Sequence, residues 1–140
     1  MTTFPSSLLD TIQTRARLPW KSLTDEIALL LGDDSVQVPP RLVQALPGGG
    51  SLFVMPALDG HIAITKLITY TPANANCGLP AIQGDVVVFD IATGQRHLVL
   101  DGPTITARRT AAVSAFAAQR LAVNTQGPML IVGAGVQGRA

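Results

Sequence analysis

Charge, aromatic rings and cysteine are all scarce in this chain, and each scarcity removes a class of function. Charged residues fill 14% of the 140 positions and the net charge is only +1, with ten lysines and arginines scattered instead of grouped into a stripe. Such a surface has no electrostatic footprint for nucleic acid or for an acidic membrane. Cys77 is the single cysteine, which excludes an internal disulfide and suits a reducing compartment. Neither it nor the two histidines, His61 and His97, stand at metal-ligand spacing, so no metal is expected. No apolar run reaches the ~20 residues that span a bilayer. The stretch Met1 to Trp20 has no basic segment followed by an apolar core, so no secretory signal is read there. These absences together predict a cytoplasmic protein. No G-x-S-x-G or other nucleophile motif is present either.

What the chain does have is aliphatic bulk: 47% of it is hydrophobic with only 4% aromatic. A chain of this size buries roughly two-thirds of its unfolded surface, enough for one main core. Ser6 or Ser7 is placed to cap a first helix carrying Leu8, Leu9 and Ile12, ending before Pro19. A second amphipathic helix is predicted from Ser22 or Thr24 through Leu31, with Leu23, Ile27, Leu30 and Leu31 on one face. Pro39-Pro40 keep residues 36–46 extended, and Pro47-Gly48-Gly49-Gly50 turns the chain into a strand over Ser51–Met55. The β-branched run from His61 to Tyr70 reads as a strand buried on both sides. A loop over residues 72–80 leads to a strand over Asp85–Ile91, which pairs through Ala92-Thr93-Gly94 with Gln95–Leu100 as a hairpin. Asp101-Gly102-Pro103-Thr104 then starts an alanine-rich helix to about Val123.

The last stretch, Met129-Leu130-Ile131-Val132-Gly133-Ala134-Gly135-Val136-Gln137-Gly138, is an apolar run followed by G-x-G-x-x-G. That pattern opens a dinucleotide-binding βαβ unit: a buried strand from Met129, a tight glycine turn, then a helix whose N-terminus receives a pyrophosphate. Only two residues follow the third glycine, so this unit is expected to be truncated. The predicted fold is therefore an α+β domain of short helices, a mixed sheet and one long helix, leading into the first strand of an α/β Rossmann domain. The boundary falls between residues 1–126 and 127–140.

Three cations stand in unusual surroundings. Lys66 is in line with Ile62, Ile64 and Ile68 inside an apolar strand, where burial would lower its pKa. The alternatives are a functional amine and a snorkelling edge-strand lysine. Arg108-Arg109 lie in the first turns of the long helix, where the macrodipole disfavours positive charge. Arg109 is in line with Ile105, Val113 and Phe116 and is expected to point to the core, whereas Arg108 is in line with Ala112, Ala115 and Gln119. An inward arginine there calls for an anion, either a ligand or a carboxylate of the fold itself. Arg41, between Pro40 and Leu42, reads more simply as a solvated loop arginine. Asp59, Asp90 and Asp101 border turns and are expected to cap them.

The segment Asp101-Gly102-Pro103-Thr104-Ile105-Thr106-Ala107-Arg108-Arg109-Thr110-Ala111-Ala112-Val113-Ser114-Ala115, followed about twenty residues later by Gly133-Ala134-Gly135-Val136-Gln137, resembles the ornithine cyclodeaminase/μ-crystallin family. Thr65-Lys66-Leu67-Ile68-Thr69, Gly78-Leu79-Pro80-Ala81 and Val87-Val88-Phe89-Asp90 resemble it too, so the likeness spans nearly the whole chain. The resemblance implies a substrate-binding and dimerisation region followed by an NAD- or NADP-binding Rossmann domain, and a homodimer when the protein is full length. It implies that Arg41 (aligned with a one-residue gap), Lys66 and Arg109 bind a substrate carboxylate, with Lys66 also catalytic. Arg109, Thr110, Gly133, Ala134, Gly135, Val136 and Gln137 match cofactor-contacting positions, and Ala81 and Ile82 match a loop that approaches the cofactor. The family's catalytic aspartate would lie beyond Ala140, and a 140-residue chain alone is expected to be inactive. Where the family's ornithine cyclodeaminases carry a glutamate, this chain has Phe53, which points to the ketimine reductase branch. Reduction of a cyclic imino acid such as pyrroline-2-carboxylate or piperideine-2-carboxylate is the expected activity. The alternatives are ornithine cyclodeamination and non-catalytic binding of a small ligand.

Overall fold

The computed structural model describes residues 7–140. Six strands form one mixed sheet in the order β1-β6-β5-β4-β3-β2. Strands β2 (Leu42–Ala45), β3 (Ser51–Leu58), β4 (Ile62–Tyr70), β5 (Ile82–Asp90) and β6 (Arg96–Asp101) run as an antiparallel meander. Each is joined to the next by a short connection, as antiparallel strands allow. β1 (Ser7–Leu9) adds the other edge, parallel to β6. Helices α1 (Thr11–Ala16) and α2 (Trp20–Leu30) pack with the long α3 (Gly102–Leu121) as a second layer on one side of the sheet.

Several expectations are corrected here. Leu8 and Leu9 lie in β1, not in a helix, and the helix cap is Asp10, whose side chain accepts from the Gln13 N–H at 2.8 Å in a capping box. Of the two predicted caps, Ser6 lies outside the described residues and Ser7 begins the strand. The second helix starts at Trp20, directly after Pro19. β3 runs on through Pro56 to Leu58, because β2 pairs with it only as far as Val54 and no ladder on that side needs a donor at Pro56. β4 is not buried on both sides: Ile68 is covered, but its neighbour Leu67 is 42% exposed on the opposite face. Met129 to Val132 forms no strand, since a strand needs a ladder and no other described segment pairs with it. The chain goes directly to the short helix α4 (Val136–Arg139), which packs on α3.

Two contacts seat α3. Asp101 caps it by accepting from the Thr104 N–H at 2.8 Å. Gly102 lies so near the Gly84 backbone that a Cβ at Gly102 would strike the Gly84 carbonyl. A helix can approach a strand this closely only where no side chain intervenes. Thr14, fully buried, ties α1 to the same corner, donating to the Leu9 carbonyl at 3.2 Å and accepting from the Asp101 N–H at 3.0 Å.

Candidate functional site

Lys66 sits at the middle of the covered face of the sheet. Directly opposing residues share a face, so the registers define a row running Leu9, Leu100, Val86, Lys66, Met55. The register of β2, continued one residue back from Leu42, brings Arg41 to the end of this row, opposite Met55. Val86 and Leu9 are buried, as is Ile68 two residues along β4. Lys66 is half-buried among them and makes no hydrogen bond or ion pair among the described residues. Burial pushes its amine below the ordinary value of 10.5, and the positive charge of Arg109 pushes it further. Arg109 reaches this neighbourhood from α3.

The predicted orientation of the two arginines is reversed. Arg108 is the inward one, 8% exposed, and Arg109 is exposed. Arg108 Nε donates to the Leu18 carbonyl at 2.8 Å, and its guanidinium lies 3.9 Å from the centroid of the Trp20 ring. A single buried stripe does not describe α3. It has two, because the sheet covers one side while α1 and α2 cover another, and Val113, in line with Arg109, is 42% exposed.

The charge of Arg109 thus bears on Lys66, and neither makes an ion pair with a carboxylate among the described residues. Two nearby cations repel, and the partial burial of Lys66 makes its charge more costly, so the arrangement is relieved by an anion that both can bind. A planar carboxylate suits it: the guanidinium offers paired donors and the ammonium a point charge.

A third flank of α3 faces the glycine turn. A cavity of about 780 Å³ lies between Pro103, Thr106 and Ala107 of α3, the Pro80-Ala81-Ile82 loop, and residues 131–133 and 135–138. Of the expected cofactor positions, Gly133, Gly135, Val136 and Gln137 line it, with Ala81 and Ile82 opposite. Ala134, Thr110 and Arg109 do not. Thr106 and Ala107 were not singled out from the sequence; their place on the helix flank three to four residues beyond Pro103 was the available signal. The glycines fit a bound dinucleotide by their own geometry. Gly133 has φ +107°, a conformation that L side chains rarely adopt. A Cβ on Gly138 would strike the Gly133 carbonyl, whereas Gly135, the residue before α4, has open space where its Cβ would stand. Tight turn, close packing and free approach are the three roles the motif requires.

The sequence model of the ornithine cyclodeaminase/mu-crystallin family matches residues 22–140. The chain belongs to this family. It is 40% identical over 133 residues to Delta(1)-pyrroline-2-carboxylate reductase 1 of Burkholderia multivorans, covering 93% of this chain and 43% of the relative. It is also 40% identical over 108 residues to the ketimine reductase mu-crystallin of Mus musculus, covering 75% and 34% respectively. The chain therefore spans about two-fifths of the length of the first of these relatives. Among solved structures, Delta(1)-pyrroline-2-carboxylate reductase of Thermococcus litoralis, in complex with NADH and L-proline, superposes with a TM-score of 0.68 at 26% identity over 95% of this chain and 40% of that one.

Proposed function

We propose that this family member reduces cyclic imino acids, Δ1-pyrroline-2-carboxylate or Δ1-piperideine-2-carboxylate, with NAD(P)H, and that this chain carries the carboxylate clamp. The observation that supports it most is Lys66 itself, a half-buried cation with no ion pair among the described residues, on which the like charge of Arg109 bears. Arg109 and Lys66 bind the substrate carboxylate, with Arg41 at the end of the same row contributing long-range attraction. Each charge-assisted hydrogen bond contributes about 1.5–3 kcal/mol. Held in this way, the C=N carbon is oriented for reaction without a further loss of freedom. NAD(P)H, when bound along the glycine turn, supplies the hydride. The imine nitrogen takes its proton from Lys66, whose lowered pKa makes it a better acid than an ordinary lysine.

Phe53 favours reduction over ornithine cyclodeamination. It pairs with Ile68, so it lies on the same face of the sheet as Lys66 and one row away. An apolar ring there gives no counter-charge to a second ammonium. The sheet face away from α3 supports a homodimer: Leu8 (75% exposed), Leu42 (57%) and Leu67 (42%) all point to it, and no described helix packs on it. The division into a substrate region, residues 1–126, and the opening of a nucleotide-binding region, residues 127–140, belongs to the same reading. So does a cytoplasmic location, in keeping with the single, unpaired Cys77.

The test compares Lys66→Ala and Arg109→Ala with the unmodified sequence, all in the full-length protein. NAD(P)H oxidation with each cyclic imine is measured beside ammonia release from ornithine. Both variants are expected to lose at least tenfold in kcat/KM for the imines, the loss of one charged hydrogen bond. Unchanged kcat/KM in both would overturn the clamp. Ammonia release from ornithine would favour cyclodeamination, and cofactor binding without turnover would favour a ligand-binding role.

A further inference from the structure

We propose that Arg108, held by the Leu18 carbonyl and the Trp20 ring, is a positioning residue that sets the rotation of α3 and so aims Arg109 at Lys66. The proposal rests on the substrate role given above to Arg109 and Lys66.

Arg108 is an expensive choice for a buried position. It contacts no carboxylate among the described residues; the other charge that bears on it is the like-signed Arg15. A leucine or methionine would fill the same stripe between α3 and α2 without that cost. What arginine adds is direction. The Nε–H donates to the Leu18 carbonyl at 2.8 Å, and the guanidinium carbon lies over the Trp20 ring, 3.9 Å from its centroid. A hydrogen bond and a cation–ring contact together favour one orientation, which an aliphatic side chain in the same space does not.

α3 also packs on α1 and on strands β4, β5 and β6, but among the described residues Arg108 is the α3 side chain that hydrogen-bonds outside the helix. The Gly102–Gly84 approach sets how near the helix lies to the sheet, but a contact between backbones without side chains resists turning weakly. Ala112, fully buried one turn after Arg108, offers only a methyl group. Arg108 is therefore the directional pin. Successive helical residues are set 100° apart, so fixing Arg108 against α2 fixes where Arg109 points. A side-chain tip lies roughly 5–6 Å from the helix axis, and a turn of ten degrees moves it by about 1 Å. A displacement of that size at a reacting centre can change rates by up to about a hundredfold.

The groups around Lys66 make the effect readable. Its row neighbours Met55 and Val86 are uncharged, and the charge from α3 that Lys66 feels is that of Arg109, not Arg108. Arg41 lies beyond Met55 on the far side. Moving Arg109 away therefore lets the Lys66 amine titrate at higher pH, whereas removing the charge of Arg108 alone does not.

The experiment prepares Arg108→Met, Arg108→Lys and Trp20→Leu in the protein and measures three things: KM for Δ1-pyrroline-2-carboxylate, KM for NAD(P)H, and the titration of Lys66 by NMR of isotopically labelled lysine. For Arg108→Met we expect KM for the imino acid to rise ten- to a hundredfold, KM for NAD(P)H to stay within twofold, and Lys66 to titrate at higher pH. Trp20→Leu, which keeps the carbonyl bond, should show a smaller change in the same direction. Arg108→Lys, which keeps a charge and a donor, should partly restore both readouts and serves as the measurement if the methionine variant does not fold. A folded Arg108→Met protein with unchanged imino-acid KM, or with a raised KM and unchanged Lys66 titration, overturns the proposal. Arg109→Ala is the control: unchanged imino-acid KM there sinks the clamp itself, while the Lys66 titration in Arg108→Met still decides the positioning role.

Discussion

On the side of the sheet that α3 covers, the central row reads Leu9, Leu100, Val86, Lys66, Met55, with Arg41 at its end. One residue along on the opposite side, the row reads Leu42, Val54, Leu67, and only then Asp85 and Asp101. The covered side holds the cations, and the side that no described helix covers holds exposed leucines. A sheet with one wetted face ordinarily keeps its covered side apolar and its open side polar, so a cation within the first and exposed leucines on the second both depart from the pattern. Each anomaly has its own reading. On the proposed function, the cation on the covered side is a cost that binding of the substrate carboxylate offsets, and the apolar open side is a cost that a second copy of the chain offsets.

The largest effect should come from breaking the covered side. Lys66→Met is expected to lower kcat/KM for imino acids by roughly 10²–10⁴, the usual worth of a positioned proton donor. The same change should raise stability by about 0.5–2 kcal/mol, since it replaces a half-buried charge by an apolar chain of similar length. Denaturant unfolding as a function of pH sharpens this point. Folded Lys66 holds its proton less firmly than unfolded Lys66, so between its lowered folded value and 10.5 the unfolded chain carries more protons. Stability contributed at this site therefore rises with pH through that window, with the full penalty present below it. Lys66→Met should abolish that rise; an unchanged pH slope would show that burial of the amine is not the cause.

On the open side, Leu67→Arg should weaken self-association by 2 kcal/mol or more, about thirtyfold in dimer dissociation, if Leu67 lies at the centre of the interface. Analytical ultracentrifugation decides it, and an undisturbed dimer would move the interface elsewhere. Thr14→Val serves as a control away from both rows. Its hydroxyl bonds both Leu9 and Asp101 inside the helix layer, so its loss should cost about 1–3 kcal/mol of stability with KM unaltered. A changed KM would mean that the corner also steers α3. The smallest effect is expected from Arg41→Ala. This exposed arginine at the row's end should change KM by less than about tenfold, and less still in high salt.

How much of this was legible in the sequence depended on whether the signal was local. The Asp101 cap and the start of α3 follow from Asp-Gly-Pro-Thr, because capping is settled within four residues. The face on which Lys66 lies follows from the two-residue period of β4, and the hairpin of β5 and β6 from its turn. The three-residue β1 could not be read, because Leu8 and Leu9 show no period of their own and become a strand only by pairing with Val99 and Leu100. Arg108 and Arg109 were interchanged for a related reason. Helical periodicity lists which residues share a stripe, but it cannot say how many stripes are buried when two layers pack on one helix. The resemblance to the family is what grouped Arg41, Lys66 and Arg109 as one set, while the local patterns alone left Lys66 and Arg109 undecided between structural and functional roles.

The parallel pairing of β1 with β6 has a consequence for the order in which the molecule assembles. Strands β2 to β6 meet as successive neighbours, each closing only a short loop, and such contacts form early and fast. Joining Leu9 to Leu100 instead closes a loop of about ninety residues, whose entropic cost is met only once the rest of the sheet is present to receive it. The Thr14–Asp101 bond completes in the same event. The N-terminal strand is thus a latch on a finished meander, and removing it should speed unfolding far more than it slows folding.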